Sequence, residues 1–339
     1  MHSGHATPPG TAAYASRFPA GFYRTAQGLT VSTLGIGSYL GQMDAAADAG
    51  YVDAVGEALR GGINFIDTSL NYRHQRSERN IGAAISASGV AREAMVVCTK
   101  AGYLTPDAVP LDKITTEDVV GNMHCITPDF LEDQLHRSRA NLGLECIDVF
   151  YLHNPETQLD EVEEGELYAR IGAAFARLET LADAGFIRFY GAATWSGFRQ
   201  QDPGLSLARM LDAATELRGD DHRFRFIQLP FNLAMTEALS LRDADGHNLF
   251  EHASASSITV VASASILQAR LARDLPPVIA ERFAGLTTDA QRAIQFARST
   301  PGITTALVGM GRAEHVRENL GISQVPPATT DEFLELFLQ

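Results

Sequence analysis

Cysteine is scarce: Cys98, Cys125 and Cys146 are the only three in 339 residues, and none forms a Cys-x-x-Cys pair. Such usage gives no sign of a disulfide framework and fits a reducing compartment. No histidines cluster at metal-ligand spacing, so no metal site is read from the sequence. Basic residues are in deficit, 27 Lys+Arg against 41 Asp+Glu, for a formal net charge of −14. A general nucleic-acid or anionic-membrane binder needs a basic face; this balance argues against one while leaving room for a local anion pocket. No uninterrupted apolar run is long enough to span a bilayer. The opening Met1-His2-Ser3-Gly4-His5-Ala6 lacks the charged start and apolar core of a secretory leader, so a cytoplasmic location is expected. There is no repeat of solenoid period and no linker between domains.

What is present is a chain able to bury a sizeable core, with 45% hydrophobic and 20% charged residues. Residues 1–18, rich in Pro, Gly, Ala and Thr, read as a flexible tail. Residues 19–339 read as one domain. Strands are predicted near Thr33–Ile36, Ile63–Thr68, Ala94–Lys100, Ile147–Leu152, Phe186–Ala193, Phe224–Pro230, Thr259–Ala264 and Thr304–Val308. Several are nearly continuous apolar runs, the pattern of parallel strands covered on both faces. Helical stripes lie between them: Leu131, Leu135, Ser138 and Leu142 follow the start signal Thr127-Pro128, and Ile171, Phe175, Leu178 and Ala182 repeat the same steps. Eight right-handed β-α units close into an α/β fold, a single (β/α)8 TIM barrel, with an open doubly wound sheet as runner-up. A long polar segment from Ala101 to about Ile126 follows the third strand, and loops of that length are usually functional or mobile.

In a parallel barrel, chemistry gathers where strands deliver side chains at their C-terminal edge. Asp67, Lys100 and His153 each end one of three consecutive strands, and Tyr72 follows Asp67 in the loop. A phenol with a reference pKa near 10 is a poor acid at neutral pH. A lysine ammonium beside it favours the phenolate, and a carboxylate behind the lysine keeps that ammonium charged and placed. His153 is suited to donate a hydrogen bond where negative charge develops on a substrate oxygen. The set suits reduction of a carbonyl, with Tyr72 protonating oxygen while hydride reaches carbon, or the reverse oxidation.

Gly62-Ile63-Asn64-Phe65-Ile66-Asp67-Thr68-Ser69-Leu70-Asn71-Tyr72, then Ser77-Glu78-Arg79-Asn80-Ile81-Gly82, Thr99-Lys100 and Leu152-His153-Asn154-Pro155, occur in that order. Together they resemble the signatures of the aldo-keto reductase family, over roughly Leu34 to Leu320. The resemblance implies a (β/α)8 barrel, catalytic Asp67, Tyr72, Lys100 and His153, and NADP(H), or less often NAD(H), across the barrel mouth. It further implies cofactor contacts from Gly37 and Ser38 after the first strand and from Gln228 on the sixth. Near the C-terminus, Leu307-Val308-Gly309-Met310-Gly311-Arg312 and Glu318-Asn319 match the segment that meets the adenosine phosphate and adenine. Departures stand beside the match: Ala193-Thr194 where Ser-Asn is usual, Ser263 where an aromatic commonly stacks, and His315 and Gly311 where basic residues are common.

For the substrate, a small carbonyl compound or alcohol, Tyr39 and Trp195 are the candidate contacts, with Phe231 and the 101–126 loop as further lining. His74 and Arg76 read as solvated or substrate-facing with equal weight. Glu156 and the acidic run Asp160-Glu161-Val162-Glu163-Glu164 read as a solvated loop and helix start. The alternative to a reductase is a cofactor-independent barrel lyase or isomerase that uses Tyr72, Lys100 and His153 to move protons, or Lys100 as a Schiff base. A non-catalytic nucleotide sensor ranks behind both.

Overall fold

The computed structural model describes residues 1–200 and 204–335. A two-stranded antiparallel hairpin, β1 (Tyr23–Ala26) and β2 (Leu29–Ser32), precedes eight parallel strands. These are β3 (Leu34–Gly37), β4 (Phe65–Asp67), β5 (Val96–Ala101), β6 (Ile147–His153), β7 (Ile187–Ala193), β8 (Phe224–Pro230), β9 (Thr259–Ser263) and β10 (Ile303–Gly309). They pair in chain order, and β10 pairs back to β3, so the barrel is closed. The helices are α1 (Pro8–Ala15), α2 (Ala45–Arg60), α3 (Arg76–Ser88), α4 (Pro128–Leu142), α5 (Glu164–Asp183), α6 (Leu207–Arg218), α7 (Glu237–Ser240), α8 (Leu249–Ala255), α9 (Pro277–Arg282), α10 (Asp289–Ser299), α11 (Ala313–Asn319) and α12 (Thr330–Leu334). Their ends carry the expected signals. Pro128 opens α4 and Gly143, at φ 67°, closes it in the left-handed region that glycine tolerates. Thr288 and Gln291 form a reciprocal capping box on α10.

Parity along each strand decides what faces the barrel axis, because successive side chains point to opposite sides. Phe65, Val96, Cys98, Val149, Tyr151, Phe226, Val261 and Leu307 pack together as the barrel interior. Ile66, Val97, Phe150, Leu152, Ile227 and Val308 belong instead to the layer between strands and helices, with Leu135, Ile171, Phe175 and Ile294. Counting on by two from the interior set reaches Asp67, Lys100, His153, Gln228, Ser263 and Gly309. The sheet therefore aims those residues inward at one end. Crowding also sets limits: a Cβ on Gly191 would lie 2.1 Å from the Phe226 carbonyl oxygen.

The first 18 residues depart from the expected flexible tail. Thr7 caps α1, and Ala6, Thr11, Tyr14 and Ala15 are buried. Ala6 N–H donates to Asp148 Oδ1 at 2.7 Å, Arg188 donates to the Ala6 carbonyl, and the Tyr14 hydroxyl donates to the Leu59 carbonyl. Asp148 also accepts from Arg92 at 2.6 Å and from Val97 N–H at 2.8 Å. With Ala26, Leu29 and Val31 of the hairpin packed on the barrel interior, this segment covers the N-terminal ends of the strands. An eight-residue helix opening on Pro-Pro-Gly shows little apolar periodicity, and its partners lie far away in the chain.

Between β5 and α4 the chain runs from Gly102 to Thr127 with one short 3-10 turn, Thr116–Asp118. It is held to itself by Leu104 N–H on the Met123 carbonyl and Cys125 N–H on the Gly102 carbonyl, each at 2.7 Å.

Candidate active site

Lys100 Nζ donates to Asp67 Oδ2 at 2.5 Å and to the Thr68 carbonyl at 2.8 Å, using two of its three donors. Both side chains are buried, 1% and 5% exposed, so the pair is a shielded, charge-assisted one. The other oxygen of Asp67 accepts from Gln228 Nε2 at 2.8 Å. Gln228 is thus bound to the carboxylate as well as facing the cavity.

Tyr72 comes from the turn after β4. Arg73, His74 and Gln75 follow it with φ of 50°, 51° and 68°, three successive residues in the left-handed region. Non-glycine residues there store strain of order 1–3 kcal/mol each unless neighbours over-determine them. Arg73 supplies that constraint. It donates twice to the Gln42 carbonyl, at 2.9 and 2.7 Å, pairs with Asp48 at 2.7 Å, and lies 5.1 Å over the Tyr51 ring. Asp48 also pairs with Arg76 and accepts from Asn80 at 2.9 Å. Arg76 is therefore part of this staple, and His74 is exposed. The result sets the Tyr72 ring centroid 5.3 Å from Lys100 Nζ, 5.0 Å from the Tyr39 ring and 5.8 Å from the His153 ring.

The electrostatics differ from the expectation that Lys100 would acidify the phenol. Burial pushes Tyr72 well above its ordinary pKa, and the charge of Asp67 and the phenols of Tyr39 and Tyr103 push the same way. The Asp67 carboxylate, held against the ammonium, offsets the field that Lys100 would exert alone. Tyr72 is consequently a protonated phenol, a donor. Burial lowers His153 well below its ordinary pKa, with the Lys100 charge and His124 acting in the same sense, so its imidazole is neutral. His153 Nδ1 is hydrogen-bonded to Ser69 Oγ at 3.1 Å, which leaves Nε2 for a ligand.

Two residues that sequence reasoning passed over organise this end. His124, fully buried in the long segment after β5, meets the His153 carbonyl through Nε2 at 2.7 Å and Gln158 Nε2 through Nδ1 at 2.8 Å. A carbonyl can only accept and an amide NH2 only donate, so His124 is the neutral Nε2–H tautomer. Burial brings its pKa down to about 4. Tyr103 stands edge-on to both histidines at 5.1 Å, and its hydroxyl accepts from Asn154 Nδ2 at 2.9 Å.

Several of these groups line a cavity of about 790 Å³ at the C-terminal mouth, with Lys100 and His124 behind its wall. Its walls include Gly37, Ser38, Tyr39, Asp67, Tyr72, Tyr103, His153, Gln228, Ser263 and Gly309, and Trp195 stands at its edge, 46% exposed. Phe231 is not part of it: the ring is fully buried against Phe250 and Phe296. Ser38 is fixed by its hydroxyl on Thr68 Oγ1 at 2.8 Å. Glu156, read as solvated, instead reaches across to the exit of β7. Its Oε1 accepts from the backbone N–H groups of Trp195, Ser196 and Gly197 at 2.7, 3.0 and 3.3 Å. Burial raises its pKa. The acidic run after it is exposed at Asp160, Glu161, Glu163 and Glu164.

Of the C-terminal candidates, Gly309 is in the cavity wall, while Arg312, Glu318 and Asn319 lie outside it. Arg312 and Glu318 are exposed on either end of α11, whereas Asn319 is buried, with Nδ2 3.4 Å from Met310 Sδ and Oδ1 without a partner. Gly309 is exposed, and a Cβ there would meet nothing within 4 Å, so this strand exit is open to a ligand.

Comparison with known proteins adds to this geometry. A family model described as the aldo/keto reductase family matches residues 33–274. A D-threo-aldose 1-dehydrogenase from Pseudomonas sp is 30% identical over 176 residues, 49% of this chain and 51% of that protein. An NADH-specific methylglyoxal reductase from Escherichia coli is 29% identical over 143 residues, 42% of this chain and 40% of that protein. The chain thus spans about half the length, or less, of these curated relatives. In solved structures, the fold is that of an aldo-keto reductase from Bacillus halodurans in its holo form (TM-score 0.67, 18% identity, covering 93% of this chain and 95% of that one). It is likewise that of an aldo/keto reductase from Klebsiella pneumoniae in complex with NADP and acetate (TM-score 0.64, 19% identity, 94% and 93%).

Proposed function

The chain belongs to the aldo/keto reductase family, and from that premise we propose that it reduces the carbonyl of an aldehyde, ketone or sugar with NAD(P)H. One observation carries the reading: a protonated phenol and a neutral imidazole face one cavity at the barrel mouth, and the carboxylate in its wall is ion-paired with a buried ammonium. A bound nicotinamide would supply the hydride. Tyr72 Oη–H donates its proton to the carbonyl oxygen as negative charge develops there. The phenolate that remains has its ring centroid 5.3 Å from the Lys100 ammonium, whose charge Asp67 only partly offsets once the proton has left. His153 hydrogen-bonds the same oxygen through Nε2 and orients the carbonyl. The surroundings hold Tyr72 in its donor form, the protonation state from which reduction proceeds.

Gly37, Ser38, Gln228 and Gly309 are suited to the nicotinamide and pyrophosphate side of the dinucleotide, and Glu318 and Asn319 to its adenine. Arg312, exposed at the start of α11, is the cation for an adenosine 2′-phosphate, and on that ground NADP(H) is proposed ahead of NAD(H). Tyr39 and Trp195 are the proposed substrate contacts. The lyase or isomerase alternative is weaker, because a Schiff base needs a free neutral amine and Lys100 is engaged with Asp67 and Thr68.

Trp195 is the sole tryptophan and borders the cavity, so its emission reports occupancy. Titration with NADPH and NADH separately is expected to quench it, more tightly with NADPH. Tyr72→Phe is expected to keep that quench while turnover with a carbonyl panel falls by about 10²–10⁴. Binding of NADPH without its oxidation by any carbonyl, or a phenylalanine variant of undiminished turnover, would remove the proposal.

A further inference from the structure

We propose that Asp243, His247 and His252 form a binding site for a divalent transition-metal ion of the zinc, cobalt or nickel kind, separate from the active-site cavity. The sequence spacing Asp-x3-His-x4-His announced no such site; a tight turn followed by a helix brings the three together. Their ligand atoms all lie within 4.8 Å of one another. His252 Nε2 is 2.5 Å from Asp243 Oδ2, and the rings of His247 and His252 are 5.6 Å apart at 63°.

Both supports of the cluster are built before any ion arrives. Residues 243–247 form a closed turn: Asp243 N–H donates to the His247 carbonyl at 3.0 Å and Gly246 N–H to the Asp243 carbonyl at 3.1 Å, with Gly246 at φ 83°. Asp243 Oδ1 is occupied by the N–H groups of Asp245 and His247, at 3.0 and 2.9 Å, so the carboxylate presents Oδ2 to His252. A second hydrogen bond on a ligating carboxylate is the outer-shell support that orients metal ligands. His252 is carried by α8, whose start is fixed by the reciprocal Asn248–Glu251 capping box. Arg242 pairs with Glu251 and donates to the Gly246 carbonyl, joining turn and helix from outside.

The donor chemistry selects the ion. Two imidazoles and one carboxylate suit zinc, cobalt and nickel, whereas magnesium and calcium require mostly oxygen ligands. Bonds of about 2.0 Å place tetrahedral ligands roughly 3.3 Å apart, so the Asp243–His252 pair would open from its 2.5 Å contact and His247 would close in, adjustments open to these exposed side chains. The ion would take the place of the proton shared by Asp243 and His252, and solvent would complete its coordination. None of the three residues lines the active-site cavity. The ion's role is accordingly to clip the turn between α7 and α8 onto α8, and it owes nothing to the carbonyl chemistry proposed above.

The test is equilibrium dialysis and calorimetric titration of the full chain with ZnCl2 and CoCl2, in excess MgCl2. One zinc per chain is expected, unaffected by magnesium, with affinity falling at least tenfold in His252→Ala, in His247→Ala and in Asp243→Asn. His136→Ala, which removes a surface histidine of α4, is expected to bind as the parent does. The side chains involved are exposed, and circular dichroism identifies any variant that fails to fold. Zinc uptake that is absent, or that persists unchanged in His247→Ala/His252→Ala, would overturn the site.

Discussion

His124 acts through another residue. Its Nε2–H holds the His153 carbonyl, and its Nδ1 can accept from Gln158 only while the ring is neutral. With a folded pKa of about 4 against about 6.5 unfolded, the unfolded chain binds the proton first as pH falls. The contribution to stability is therefore fully present above about pH 6.5 and lost progressively toward pH 4. Its full size is about 3 kcal/mol from the shift alone. Urea unfolding at pH 7.5 and 5.0 is expected to show a larger loss in the parent than in His124→Gln, which has no ring to protonate. Equal losses would remove His124 from the account. The sequence made the three strand-end residues legible because each ends an apolar run, and Lys100 is one of only two lysines, with Lys113. His124 and Tyr103 lay in a polar segment without period, where nothing local shows which side chains turn inward. The protonated state of Tyr72 was equally hidden, since it depends on burial and on how closely Asp67 is held to Lys100.

At the scale of elements, Glu156 joins the turn after β6 to the exit of β7. Three consecutive N–H groups converge on one of its oxygens, and Trp195 stands on the loop they fix. Glu156→Ala would strip those donors of their acceptor, which costs most at Gly197, the buried residue of the three, at about 1–3 kcal/mol. The expected result is a KM raised about tenfold or more, a smaller change in kcat, and altered Trp195 emission. Glu156→Gln keeps the accepting oxygen and is expected to restore most of the parent behaviour; a glutamine variant as impaired as alanine would mean the charge, not the tether, matters. Elements themselves were mostly readable, because buried parallel strands are continuous apolar runs. β4 is shorter than the predicted Ile63–Thr68, since Asn64 turns to the hairpin, accepting from Ser32 N–H and donating to the Thr30 carbonyl. The hairpin had a signal that went unused: Gln27-Gly28, with φ of 50° and 77°, is a two-residue turn between β-forming runs.

The whole molecule separates its tasks between the two ends of the barrel. The cavity occupies the C-terminal mouth, while α1 and the β1–β2 hairpin close the opposite end around Asp148 and the interior cluster. Phe65, Val149, Tyr151 and Phe226 fill the space between, and packing this dense keeps the ends at fixed distance. Removing residues 1–18 therefore tests that division. Deletion exposes the surface under Tyr14 and takes the Ala6 N–H from Asp148, which retains Arg92 and Val97 as partners. Burial of one aromatic side chain and one buried acceptor each contribute roughly 1.5–3 kcal/mol, so stability is expected to fall by at least about 3 kcal/mol. The urea midpoint reports that loss. Dinucleotide titration of the folded fraction, read by Trp195, is expected to be unchanged within about twofold, since no residue of the deleted segment lines the cavity. An unchanged midpoint would return these residues to the status of a tail, and a large loss of affinity at full folding would mean that the two ends are coupled through the barrel interior.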